Sequence, residues 1–170
     1  PVIVFDDVNL DAVLDICVPV KFANAGQVCV TGDRFYVHES MHEKFVDGFA
    51  VRAKALKLGH GLDEASQMGP LINARRIAAI DGIVAEARRR GGRVVTGGER
   101  PSGKNKGFFY SPTVIANLPD DALALAEENF GPIAAITPFQ TDDEVYARAN
   151  STELGLSAYA FTQSARRMRE

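Results

Sequence analysis

Short apolar runs alternate with stretches of helical periodicity from one end of the chain to the other, and nothing limits its possible folds more than this alternation. Pro1-Val-Ile-Val-Phe5 is β-branched and aromatic, the composition of a buried strand. Leu10, Val13, Leu14, Cys17 and Val18 then recur at helical spacing, and Pro19 is expected to end or kink that helix. Phe22 to Val30 is a loop of small residues, and Arg34 to His38 reads as a strand. Ser40-Met-His-Glu43 has the form of a capping box, opening a helix with Met41, Phe45, Phe49 and Leu56 on one face. Asn73 is placed to cap a further helix, whose Ile77, Ile80, Val84 and Ala87 face a core. Arg88 to Arg90 suit its last turn, and Gly91-Gly92 stops it. Further strands are expected at Arg93 to Thr96, Thr113 to Ala116, Ile133 to Phe139 and Leu156 to Thr162, with an exposed polar loop over Gly97 to Gly107. Thr141-Asp-Asp-Glu144 is a second capping box, and Ser164 to Glu170 reads as the first turns of a helix. This order predicts an α/β fold: an open, mostly parallel sheet flanked by helices.

Composition excludes several function classes. With 170 residues, 46% of them apolar, the chain can build a core without disulfides or metals. Nineteen Lys and Arg against 22 Asp and Glu leave a net charge of −3, with no basic stripe, so a general nucleic-acid binder is not expected. No apolar run approaches the roughly 18 residues of a membrane span. Two cysteines, Cys17 and Cys29, do not make a disulfide scaffold, and the chain reads as cytoplasmic. His38, His42 and His60 have no zinc-like spacing to either cysteine, so no metal site is expected. Gly59-His-Gly61 and Gly97-Gly98 are not dinucleotide fingerprints. Opening inside a strand and closing inside a helix, the sequence reads as a piece of a longer protein.

Two places could carry chemistry. Cys29 follows Asn24-Ala-Gly-Gln-Val in a loop between a helix and a strand. Such a loop can present both a thiol and its own N–H to a substrate carbonyl, and Gly26 permits close backbone approach. Equally, a free cysteine is most often a small buried hydrophobe, the reading that fits Cys17 on its apolar helix face. Glu127-Glu128-Asn129-Phe130-Gly131-Pro132 could hold sugar hydroxyls and cover a flat ring, or be an acidic surface turn.

At Phe22-x-Asn24-x-Gly26-Gln27-x-Cys29 the sequence resembles the aldehyde dehydrogenase superfamily. Three more blocks follow in that family's order: Leu58-Gly59 with Met68-Gly69-Pro70-Leu71-Ile72; Phe108-Phe109-Tyr110-Ser111-Pro112-Thr113; and Glu127 to Pro132, trailed by Gly155-Leu156-Ser157-Ala158. The resemblance covers essentially all 170 residues and leans towards semialdehyde dehydrogenases. It implies that Cys29 is the catalytic nucleophile. By the same resemblance Glu128 binds the nicotinamide ribose, Phe130 packs beside the nicotinamide, and Gln27 and Val28 shape the site. The implied reaction is NAD- or NADP-dependent oxidation of a small-molecule aldehyde to a carboxylic acid, in a homodimeric or homotetrameric parent. It also implies that residues 1–170 are the catalytic domain, with the general base, the oxyanion amide, most of the cofactor domain and the C-terminal segments outside this chain. Ala23 stands where semialdehyde dehydrogenases resemble one another in a carboxylate-binding Arg. Thr31 stands where some redox-regulated members carry a second cysteine. Two alternatives share the fold: a domain with no activity of its own, and an acylating enzyme that passes the acyl group to coenzyme A.

Overall fold

Among the described residues, six strands form one sheet, in the order β3-β4-β5-β2-β1-β6. They are β1 (Val2–Val4), β2 (Arg34–His38), β3 (Arg93–Thr96), β4 (Thr113–Ala116), β5 (Ile133–Phe139) and β6 (Tyr159–Phe161). Every neighbouring pair is parallel except β3 with β4. The helices are α1 (Leu10–Phe22), α2 (Glu39–Ala55), α3 (Ala74–Arg89), α4 (Leu123–Ala126) and α5 (Asp142–Ala149). This computed structural model describes residues 1–104, 106–153 and 155–169. Parts of two expectations, Asn105 in the polar loop and Glu170 in the terminal helix, lie outside the described residues. Among the described residues, no helix is long and apolar enough to cross a membrane.

The sheet is covered on both faces, which is why its central strands are apolar without a break. Alternation along each strand divides the side chains. Val2, Val4, Phe35 and Val37 enter the large core under α1, α2 and α3, while Ile3, Phe5 and Tyr36 join Phe139 and Val145 in a smaller cluster beneath α5. Phe35, Phe45 and Phe49 stack with ring centroids 5.3 to 6.4 Å apart, locking α2 onto β2.

Local signals set most of the boundaries. Asn73 caps α3 by accepting from the Arg76 N–H at 3.0 Å. Thr141 caps α5, while Glu144 reaches back to the Gln140 N–H at 2.9 Å. Four expectations need correction. Helix α1 runs through Pro19, because its last turn buries Val18, Lys21 and Phe22 and that packing outweighs the lost amide donor. Helix α2 starts before Ser40: β2 leads straight into it, and the His38 ring stands 3.4 Å from the Ser40 N–H. Glu43 of the expected box turns instead to Arg93, at 2.6 Å. The final strand is three residues, Tyr159–Phe161, since only these pair with β1. The C-terminal segment makes a single 3-10 turn, Arg167–Arg169.

Arg167 ties that turn to the sheet. Its guanidinium reaches Asp142 at 2.9 Å and Asp6 at 3.0 Å, and lies 4.3 Å from the centre of the Phe5 ring. Its hydrogen bond holds the Asp142 carboxyl below the ordinary carboxylate range. A carboxyl lowered in the folded state contributes stability above its unfolded pKa of about 4 and loses it as pH falls through the folded value. Asp142→Asn is therefore expected to destabilise by about 1 kcal/mol at neutral pH and by progressively less in acid. Urea melts of parent and variant between neutral pH and pH 3 check this; a constant difference would refute it.

Candidate active site

The loop that follows α1 is built on unusual backbone. Asn24, Ala25 and Gly26 lie consecutively in the left-handed region, with φ of 49°, 56° and 71°. Two of them are not glycine, and each costs about 1–2 kcal/mol. Such strain persists only where the surroundings impose it. Here the reason is visible: a Cβ on Gly26 would collide with the carbonyl oxygen of Gly131. On the other side of that contact Phe130 is also left-handed, with φ of 44°. The Gly-x-x-Cys loop and the Glu-Glu-Asn-Phe-Gly-Pro segment, more than 100 residues apart in sequence, thus meet backbone to backbone.

The second and fourth sequence blocks meet this loop, and the third joins them. The Gln27 amide donates to the Asn24 carbonyl at 3.0 Å and the Pro70 carbonyl at 3.4 Å, and its oxygen accepts from the Ile72 N–H at 2.9 Å. Asn24 donates to the Gln27 carbonyl at 3.1 Å. The Leu71 N–H reaches the Phe108 carbonyl at 2.9 Å, bringing in the third block. Beyond the thiol, the Thr31 N–H closes a turn onto the Val28 carbonyl at 3.0 Å. The Thr31 hydroxyl donates to the Val20 carbonyl at 3.0 Å, and the Tyr159 hydroxyl to the Val30 carbonyl at 2.7 Å. Gln27 therefore acts as scaffold for the loop.

This framework leaves Cys29 exposed on its turn, whereas Cys17 is buried. Burial pushes the Cys17 thiol up to about 12, so it is inert as a nucleophile at neutral pH. Cys29 and Glu128 line one cleft of about 890 Å³, with Pro1, Asp33, Tyr36 and Ser157 among its other walls. That is ample for a ligand of cofactor size. Phe130 is half-buried and is not among the residues of the cleft wall, although its neighbours Glu127 and Glu128 are. Val28 is half-buried beside the thiol, and Ala23 is exposed at the end of α1.

The cleft wall stands at the amino ends of parallel strands. Pro1 and Asp33 immediately precede β1 and β2, and Glu127-Glu128 and Ser157 lead toward β5 and β6. Open parallel sheets ordinarily bind ligands at the opposite, carboxyl edge.

Two residues, Asp33 in this wall and Lys21 behind it, have no counterpart among the sequence candidates. Lys21 is fully buried and its ammonium lies 2.5 Å from Asp33 Oδ1. Asp33 Oδ2 accepts from the Asn129 N–H at 3.2 Å. The available signal was a lysine between Val20 and Phe22 in the last, buried turn of an apolar helix. Arg76 adds a bond to the Asn129 carbonyl at 3.3 Å.

The fold and this geometry agree with known proteins. The profile described as "Aldehyde dehydrogenase family" matches residues 1–170. The chain is 40% identical over 165 residues to the mitochondrial succinate-semialdehyde dehydrogenase of Oryza sativa, covering 96% of this chain and 31% of that protein. It is 38% identical over 164 residues to the betaine aldehyde dehydrogenase of Brucella anthropi, covering 95% and 34%. A crystal structure of Mycobacterium tuberculosis aldehyde dehydrogenase complexed with NAD+ superposes with a TM-score of 0.93 at 34% identity, over 97% of this chain and 34% of that one. The chain thus spans about a third of the length of the relatives it matches. A profile match along its whole length, on a fold that brings the four blocks together, places this chain in the aldehyde dehydrogenase family.

Proposed function

We propose that residues 1–170 form the catalytic, cysteine-bearing domain of an enzyme that oxidises an aldehyde to a carboxylic acid with NAD or NADP. The observation that carries this reading is Cys29: an exposed thiol on a braced turn that follows a strained loop, sharing a cleft with Glu128. The Cys29 thiolate attacks the aldehyde carbon and forms a C–S bond, giving a thiohemiacetal. The Cys29 N–H stabilises the oxyanion in this reading, while the Asn24 and Gln27 amides serve as braces. An NAD or NADP held by Glu128 would supply the hydride acceptor. Glu128, exposed on the wall, has the two oxygens needed to accept from both ribose hydroxyls, and Phe130 is the aromatic that would pack beside the nicotinamide. Once the carbon is oxidised, Cys29 carries the acyl group as a thioester, and water cleaves it to the acid and the free thiol.

The relatives include enzymes named for succinate semialdehyde and for betaine aldehyde, one substrate anionic and the other cationic. Ala23 offers no guanidinium for a substrate carboxylate. The full-length protein is therefore expected to favour aldehydes without one.

The test pairs labelling with turnover. Iodoacetamide at pH 8 is expected to modify Cys29 at least ten times faster than Cys17, read by peptide mass spectrometry. Aldehyde oxidation should fall in step with Cys29 modification, and the product should be the free acid with or without coenzyme A. Equal slow labelling, or activity that survives full modification of Cys29, would overturn the reading. Acyl-coenzyme A as the product would replace the hydrolytic step with acyl transfer.

A further inference from the structure

We propose that the buried Lys21–Asp33 pair is a positioning device, setting the thiol loop and the Glu128–Phe130 segment at a fixed separation. The proposal rests on the catalytic reading of Cys29 and Glu128 given above. Lys21 closes α1 just before the loop, and Asp33 stands where the loop enters β2, so the pair staples together the two ends of the segment that carries Cys29. The second Asp33 oxygen accepts from the Asn129 N–H, the peptide between Glu128 and Phe130. One carboxylate thus grips both walls of the cleft.

The chemistry of the pair favours positioning over stability. Lys21 is fully buried, and replacing both members of such a pair by apolar side chains is commonly neutral or stabilising. What an apolar residue cannot do is orient a carboxylate. Without the ammonium, the partly buried Asp33, its side chain 17% exposed, can turn toward solvent and release the Asn129 N–H. Asn129 is otherwise held by its side-chain bond to the Ala124 carbonyl at 3.1 Å and by Arg76, neither of which reaches the thiol loop. An amide at position 33 fails for a different reason: its one oxygen can accept from Lys21 or from Asn129, and its NH2 then faces the other donor.

Lys21→Met tests this by taking the partner from the Asp33 carboxylate, whose side chain keeps 17% exposure, and Asp33→Asn is the second variant should the first not fold. Val46→Ala, in the core of α2 and away from the cleft, serves as a control for lost packing. In the full-length protein, Lys21→Met is expected to lower kcat on the order of ten-fold and to raise KM for NAD+ several-fold, as a displacement of about 1 Å between reacting groups would. The aldehyde KM and the alkylation rate of Cys29 should not change. Hydrogen exchange at residues 127–130 should quicken in Lys21→Met and not in Val46→Ala. Exchange that matches the parent, or kinetics no different from those of Val46→Ala, would overturn the proposal. Should the parent oxidise no aldehyde, the catalytic reading falls, and the exchange measurement still decides whether the pair holds the two walls together.

Discussion

Cys29→Ala is expected to lower aldehyde oxidation by the full-length protein on the order of 1000-fold or more, leaving its stability within about 0.5 kcal/mol of the parent. Both halves of this expectation follow from position. The side chain is exposed and packs no core, so its removal forfeits little burial. Chemically, it is the group that forms the bond to carbon. A thousand-fold loss corresponds to about 4 kcal/mol of barrier, typical of removing a covalent nucleophile. Cys17→Ala should do the reverse. Its thiol is buried in the large core, so about 1–2 kcal/mol of stability goes while the rate stays within a few-fold. Steady-state kinetics and urea melts on the two variants decide the matter. Activity retained in Cys29→Ala and lost in Cys17→Ala would exchange the roles assigned here.

The second large effect is expected at Gly26→Ala, whose cost should reach about 3–4 kcal/mol. About 1 kcal/mol of this is conformational, since φ is +71°. The remainder comes from the collision with the Gly131 carbonyl. That group is backbone, fixed by its own bond to the Ile133 N–H at 2.9 Å, and cannot swing aside as a flexible side chain would. The new methyl therefore pushes the thiol loop away from the Glu128 segment, so activity should fall together with stability. Gly82→Ala is the matched control: it lies exposed within α3 with nothing within 4 Å of the added methyl, and should stabilise by about 0.5–1 kcal/mol. Equal urea midpoints for Gly26→Ala and the parent would mean that the two segments do not meet as described.

Much of the fold was legible because its signals are local. The expected strands Arg34–His38, Arg93–Thr96, Thr113–Ala116 and Ile133–Phe139 are the observed β2 to β5, to the residue. Each is a short apolar run bounded by residues that end it, and both properties act over a few neighbours. Asn73 and Thr141 cap their helices for the same reason: the bond spans three residues. Where a boundary depended on distant groups, the local rule failed. Pro19 does not end α1, since Phe22 is buried against Phe49, with ring centroids 6.0 Å apart, and Lys21 has Asp33. The four-residue helix α4 had no periodicity to announce it.

The candidate site divides along the same line. The sequence by itself determined that a thiol would lie in a flexible-looking loop of small residues, that Gly26 would allow close approach, and that the ordered blocks resemble one family. Only the tertiary structure decided what Gly26 approaches, that Ala25 and Phe130 are held in left-handed conformations, and that one carboxylate grips both walls of the cleft. It also decided the edge of the sheet on which the cleft opens. Strand order and the partners of buried charges are set by residues a hundred positions apart, through packing that settles only when the whole core closes, and no local pattern in the chain encodes them.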